Sequence, residues 1–173
     1  MAETNEKPAN AVGEDAEMER VYGTMRKLLE EHQTLATAQG IAPDELEAAY
    51  KLGSTFYASG RYDDAEKFFR FLVLMDHTNG KYHLALGSVR QVNKDYRKAL
   101  ESYALSALCD VSNPKPHYYA AECALELGDL DAAESAVVTL FAKCPAGNSK
   151  NDEYRAKAEA LRRRIDAARA KGL

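Results

Sequence analysis

Apolar residues along this chain recur mostly at three- and four-residue spacings, the signature of helices with one buried face. Met18, Val21, Tyr22, Met25, Leu28, Leu29 and Leu35 fall on one such stripe and predict an amphipathic leading helix from about 17 to 37, ended by Gly40. Six further helices follow near 44–59, 62–75, 80–93, 96–109, 114–127 and 130–143, paired as three hairpins. Asp44 and Glu47 look like a capping box for the first of them. Asn113 and Pro114 supply an N-cap and a first-turn proline for the fifth. Pro145, Gly147 and Asn148 break the sixth. A closing helix over about 152–171 carries Tyr154, Ala158, Leu161, Ile165 and Ala168 on one stripe. Residues 1–16 are acidic, contain almost no large apolar side chain, and are expected to be disordered, because they cannot bury enough surface to offset the entropy of ordering.

The hairpins echo one another at a period of 34 residues: GRYDDAEKFF, KDYRKALESY and GDLDAAESAV begin at Gly60, Lys94 and Gly128. Leu52-Gly53, Leu86-Gly87 and Ala120-Ala121 repeat at the same interval, as do Ala65, Ala99 and Ala133. An aromatic or apolar residue follows each of these alanines by four: Phe69, Tyr103 and Val137. This is the tetratricopeptide pattern. The expected fold is all-α, a single domain over 17–171: a leading amphipathic helix, three tetratricopeptide repeats at about 46–79, 80–113 and 114–147, and a capping helix, arranged around a concave groove. The small residues let paired helices approach, and Phe69, Tyr103 and Val137 fill the space between hairpins. Gly60 and Gly128 suit a left-handed turn, whereas Lys94 must make the same turn without glycine's freedom.

Composition narrows the functional classes. The net charge of −4 is polarised: residues 1–19 carry six acids against Lys7, and from Lys150 onward eight basic residues face four acidic ones. The repeat body is acidic, which argues against nucleic acid as a partner. No apolar run approaches the roughly 18 residues of a membrane span, and the polar, acidic start does not resemble a secretory signal, so a cytoplasmic location without stable membrane association is expected. Cys109, Cys123 and Cys144 are odd in number and widely spaced, which favours free, buried thiols in a reducing compartment. His32, His77, His83 and His117 have no cysteine or carboxylate at metal or triad spacing, and no glycine-rich phosphate loop is present. Neither catalysis, nor a metal, nor a cofactor is expected. Arg162, Arg163 and Arg164 spread over different faces of the closing helix and read as a solvated helix end.

In a stack of this kind the first helix of each hairpin lines the concave wall. Repeat geometry turns Tyr50, Ser54 and Tyr57 inward from the first repeat, Leu84, Ser88 and Gln91 from the second, and Tyr118 and Glu122 from the third. Aromatic side chains give large contact area at low entropic cost, and an extended proline-bearing peptide loses little entropy on docking. Tetratricopeptide proteins that grip a C-terminal carboxylate use Lys and Asn at the places held here by Tyr50 and Ser54, so this groove suits apolar side chains.

The stretches LEAAYKLGSTFYASGRYDDAEKFF, MDHTNGKYHLALGSVRQ and HYYAAECALELGDLDAAES resemble the class II chaperones of bacterial type III secretion. Asp76-His77, Arg90-Gln91 and Ala120-Ala121-Glu122-Cys123 act as landmarks, and the likeness spans roughly residues 18–165. It implies a cytoplasmic chaperone of a Gram-negative bacterium. Its clients would be hydrophobic translocator proteins, gripped through an extended Pro-x-Leu-x-x-Pro segment lying in the groove. It also implies a homodimer in the free state. Met18, Val21, Tyr22 and Met25 are the candidate surface for self-association or for a second client contact. A general tetratricopeptide scaffold or regulator without a secretion client is the alternative reading.

Overall fold

The computed structural model describes residues 9–31, 33–146 and 152–171. The described residues form nine helices: α1 (Ala9–Leu29), α2 (Leu35–Gln39), α3 (Pro43–Ala58), α4 (Tyr62–Met75), α5 (Gly80–Val92), α6 (Tyr96–Cys109), α7 (Lys115–Glu126), α8 (Leu130–Lys143) and α9 (Asp152–Ala170). Helices α3 to α8 make three consecutive hairpins, each packed on the next, and α9 closes the array against α7 and α8.

Most of the hairpin boundaries agree with the sequence pattern to within a residue, because the turns are chemically marked. Gly40, Gly60 and Gly128 take left-handed φ angles of 72°, 76° and 74°. Lys94 takes φ 62° at the same place in the second hairpin, a conformation that crowds its Cβ against the following carbonyl. Asp95 and Asp129 cap the helices that follow by accepting from the backbone N–H of Lys98 and Ala132. The N-cap of α7 falls on Pro114, one residue later than the sequence pattern places it, and Asn113 Oδ1 accepts from Lys115 N–H at 3.0 Å just ahead of it.

The leading segment departs from the expectation. It is not one helix over 17–37 but two. Helix α1 starts at Ala9, inside the stretch expected to be disordered, and ends at Leu29. Thr34 then caps α2, its side chain accepting from Thr37 N–H at 3.2 Å. Residues 1–8 and His32 lie outside the described residues. The expected Asp44/Glu47 capping box is also replaced: Pro43 opens α3, and Glu45 Oε2 accepts from Ala42 N–H at 2.9 Å. Of the residues expected to break α8, Gly147 and Asn148 fall outside the described stretch.

Gly53, Gly87 and Ala121, the alanines Ala65, Ala99 and Ala133, and the large residues Phe69, Tyr103 and Val137 are all buried. A Cβ added to Gly53 would stand 2.9 Å from Phe69 Cε1, and one added to Gly87 would stand 2.5 Å from Tyr103 Cε1. Where the third repeat replaces the ring by Val137, the glycine position becomes Ala121. Small residue and large ring thus trade volume within each hairpin. Cys123 and Cys144 are buried, with the Cys123 thiol pushed up to about 12 by burial. Cys109 is exposed, contrary to expectation, at the end of α6.

Candidate functional site

Two adjoining clefts share Tyr57, Ser88 and Tyr119 and run along the first helices of the three hairpins. The smaller, about 240 Å³, lies between Tyr50, Ser54, Phe69 and Ala85. The larger, about 460 Å³, extends past Gln91, Val92 and Tyr96 to Glu122, Glu126 and Arg164. Together they make one groove with aromatic walls and a polar floor in its second half.

At the first-repeat end, Tyr50 packs between Phe69 and Tyr82, with ring centroids 5.7 and 6.0 Å away. Lys81 Nζ stands 3.7 Å from the Tyr50 ring centroid and 2.8 Å from Glu47 Oε2. The hydrogen bond from Lys81 holds the Glu47 carboxyl below its ordinary range. Tyr57 is half-buried and meets Tyr62 edge to face at 5.5 Å; burial raises its phenol. Ser54 and Ser88 donate their hydroxyls back to the carbonyls of Tyr50 and Leu84, which leaves oxygen lone pairs, not O–H groups, for a ligand.

The floor beyond Ser88 is a hydrogen-bonded chain across two repeats. Tyr103, buried under the groove, donates its hydroxyl to Gln91 Oε1 at 2.6 Å. Gln91 Nε2 donates to Glu122 Oε2 at 3.2 Å, and Tyr118 OH donates to Glu122 Oε1 at 2.6 Å. A carboxylate can only accept, so it fixes which way the Gln91 amide faces. Burial drives the Tyr103 phenol far up; burial first and the Glu122 contact second do the same for Tyr118.

The structure therefore brings Tyr50, Ser54, Tyr57, Ser88, Gln91 and Glu122 together on one wall, as repeat geometry expects. It does not bring Leu84 or Tyr118 onto that wall. Leu84 packs, partly buried, against Ala99, Tyr103 and Cys123. Tyr118 turns towards α9, where Tyr154 meets it edge to face at 6.2 Å and Lys157 Nζ stands 5.2 Å from its ring. Its neighbour Tyr119 enters the groove instead and stacks on Tyr103 at 5.5 Å. Tyr119 occupies the repeat position of Ala85, which also lines the groove, so that shared register was the available signal.

Outside the groove, Met18, Val21, Tyr22 and Met25 stand 49–67% exposed along α1. His83 is buried, its Nε2 2.8 Å from the His77 carbonyl oxygen, a packing role. No helix among the described residues is long and apolar enough to cross a membrane.

Three stacked helical hairpins with a side-chain-lined groove define a tetratricopeptide array, and the tetratricopeptide repeat family matches residues 46–79. Comparison with known proteins narrows the class. The low calcium response locus protein H of Yersinia pestis is 39% identical over 64% of this chain, an alignment that spans 66% of that relative, just under two thirds. PcrH, known from Pseudomonas aeruginosa, superposes in its complex with the chaperone binding region of PopD with a TM-score of 0.69. It is 39% identical and is covered over 98% of its length by 78% of this chain. The type III secretion chaperone SycD of Yersinia enterocolitica, solved with a peptide of the translocator YopD, gives 0.68 at 32% identity, with 98% of it covered by 77% of this chain. SycD has also been solved as an alternative dimer. The chain belongs to the family of type III secretion translocator chaperones.

Proposed function

We propose that this chain is a cytoplasmic chaperone that keeps hydrophobic translocator proteins of a type III secretion system soluble and unassembled until export. One extended, proline-bearing client segment lies along the groove from Tyr50 to Glu122. The carrying observation is the continuity of that groove across all three repeats, with Tyr57, Ser88 and Tyr119 joining its two halves. Aromatic walls bury client side chains, and the Gln91–Glu122 floor offers polar partners to a strand that has no hydrogen bonds of its own. The relatives whose solved complexes hold PopD or YopD segments support the same reading.

Binding is stoichiometric masking without turnover, and it uses neither metal nor cofactor. The exposed stripe Met18, Val21, Tyr22 and Met25 on α1 serves self-association into a homodimer or a second client contact, since side chains this apolar and this exposed favour being covered. Co-expression tests the reading. A translocator encoded beside this chain should stay soluble and elute with it as a defined complex, and Tyr57→Ala with Tyr119→Ala should return it to the pellet. Equal solubility of the translocator with and without the chaperone would contradict the proposal.

A further inference from the structure

The carboxylates that touch a neighbouring repeat or the capping helix mostly have their own cation. Glu47 has Lys81 at 2.8 Å, Glu66 has Arg90 at 3.5 Å, Glu126 has Arg164 at 3.4 Å, and Asp131 has Arg169 at 2.9 Å. Glu122 is different. It is half-buried at the floor of the larger cleft, and among the described residues its side-chain partners are the neutral donors Gln91 and Tyr118. The one arginine at that cleft, Arg164, turns to Glu126.

The two ends of the groove make the contrast sharper. At the first-repeat end the chain supplies a cation for both the carboxylate and the ring, with Lys81 bridging Glu47 and the face of Tyr50. At the third-repeat end the same ingredients are present, a carboxylate beside the rings of Tyr119, Tyr57 and Tyr96, but the arginine that lines this cleft, Arg164, bonds Glu126 and leaves Glu122 with neutral donors. A carboxylate has about four acceptor sites, and Glu122 uses two. Aromatic faces attract a cation and shelter its aliphatic stem.

We propose that Glu122 reads a lysine or arginine of the client, placed on the flank of the extended segment that reaches the third repeat, with the stem of that side chain lying on the aromatic wall and its charge on the carboxylate. The inference rests on the groove reading above and adds a charge requirement to it. Tyr103 and Tyr118 act as positioning residues, since their hydroxyls hold Gln91 and Glu122 in place.

Three labelled Pro-x-Leu-x-x-Pro peptides test this by fluorescence anisotropy: one with lysine on its N-terminal flank, one with lysine on its C-terminal flank, and one with glutamine on both. One of the two lysine peptides should bind about fivefold more tightly than the glutamine peptide, an advantage that shrinks as salt is added. Glu122→Gln should bring the lysine-to-glutamine affinity ratio to about one, with unchanged helicity by circular dichroism. The flank on which lysine helps also gives the direction of the client in the groove. Equal affinity of all three peptides for the wild type overturns the proposal while leaving the groove reading intact. No binding of any peptide by the folded protein overturns both.

Discussion

Gly87→Ala is the sharpest test of how this fold is held together. The added Cβ would sit 2.5 Å from Tyr103 Cε1 and 2.7 Å from Cδ1, closer than carbon atoms tolerate. The ring has little room to yield: it is 1% exposed, stacks on Tyr119 and is tied by its hydroxyl to Gln91. Two effects oppose each other. Alanine is a better helix former than glycine by about 1 kcal/mol, whereas forcing a methyl group into a packed core costs about 1–3 kcal/mol. A 2.5 Å contact with a pinned ring belongs at the upper end, so a net loss of about 1–2 kcal/mol is expected. For a chain of this size that lowers Tm by roughly 3–6 °C. Urea denaturation followed by circular dichroism measures it. The double variant Gly87→Ala with Tyr103→Val copies the Ala121/Val137 pair of the third repeat and removes the clash. It should therefore lose less than the sum of the single losses, with a coupling of about 1 kcal/mol or more. A Gly87→Ala protein as stable as the wild type, or losses that simply add, would refute the exchange of volume between small residue and ring.

Other consequences follow from the same geometry. Lys94→Gly relieves the left-handed backbone at φ 62° and should raise stability by roughly 0.5 kcal/mol, whereas Gly60→Ala or Gly128→Ala should lower it by about 1 kcal/mol, all read from denaturant midpoints. A disulfide-forming thiol reagent should titrate Cys109 in the native protein and reach Cys123 and Cys144 only on unfolding; three equally fast thiols would contradict the burial described here. Burial first, and Lys143 second, lower the His117 pKa below its ordinary 6.5. The unfolded chain therefore takes up the proton first, and the neutral-imidazole advantage, complete above about pH 6.5, fades as pH falls towards the folded-state pKa. His117→Gln should flatten stability between pH 7 and 5 relative to the wild type.

The hairpins were legible because their turn residues, small positions and rings recur at one period and each has a local reason. Register around a helix was harder to read. Tyr118 and Tyr119 are adjacent, equally aromatic and about 100° apart, so a one-residue rotation decides which enters the groove. The choice is made by α9, whose Tyr154 and Lys157 engage Tyr118, a tertiary contact from residues more than thirty positions away. Leu84 is drawn off the wall in the same way by the cluster around Tyr103. The leading segment was misread as one helix because its apolar spacing continues past Leu29 into Leu35, while the Thr34 cap that restarts the chain is one hydroxyl with no periodic signal. The Gln91–Glu122 link joins residues 31 positions apart, and the sequence pattern placed both on the wall without revealing their bond.

Fluorescence anisotropy of a labelled Pro-x-Leu-x-x-Pro peptide from a translocator, titrated with the wild type and with Tyr57→Ala, tests the central claim most directly. Tyr57 lines both halves of the groove, so its removal should weaken micromolar binding by about tenfold or more without unfolding the exposed end of α3. Equal binding by both proteins would place the client elsewhere, and no binding by the folded wild type would contradict the chaperone reading.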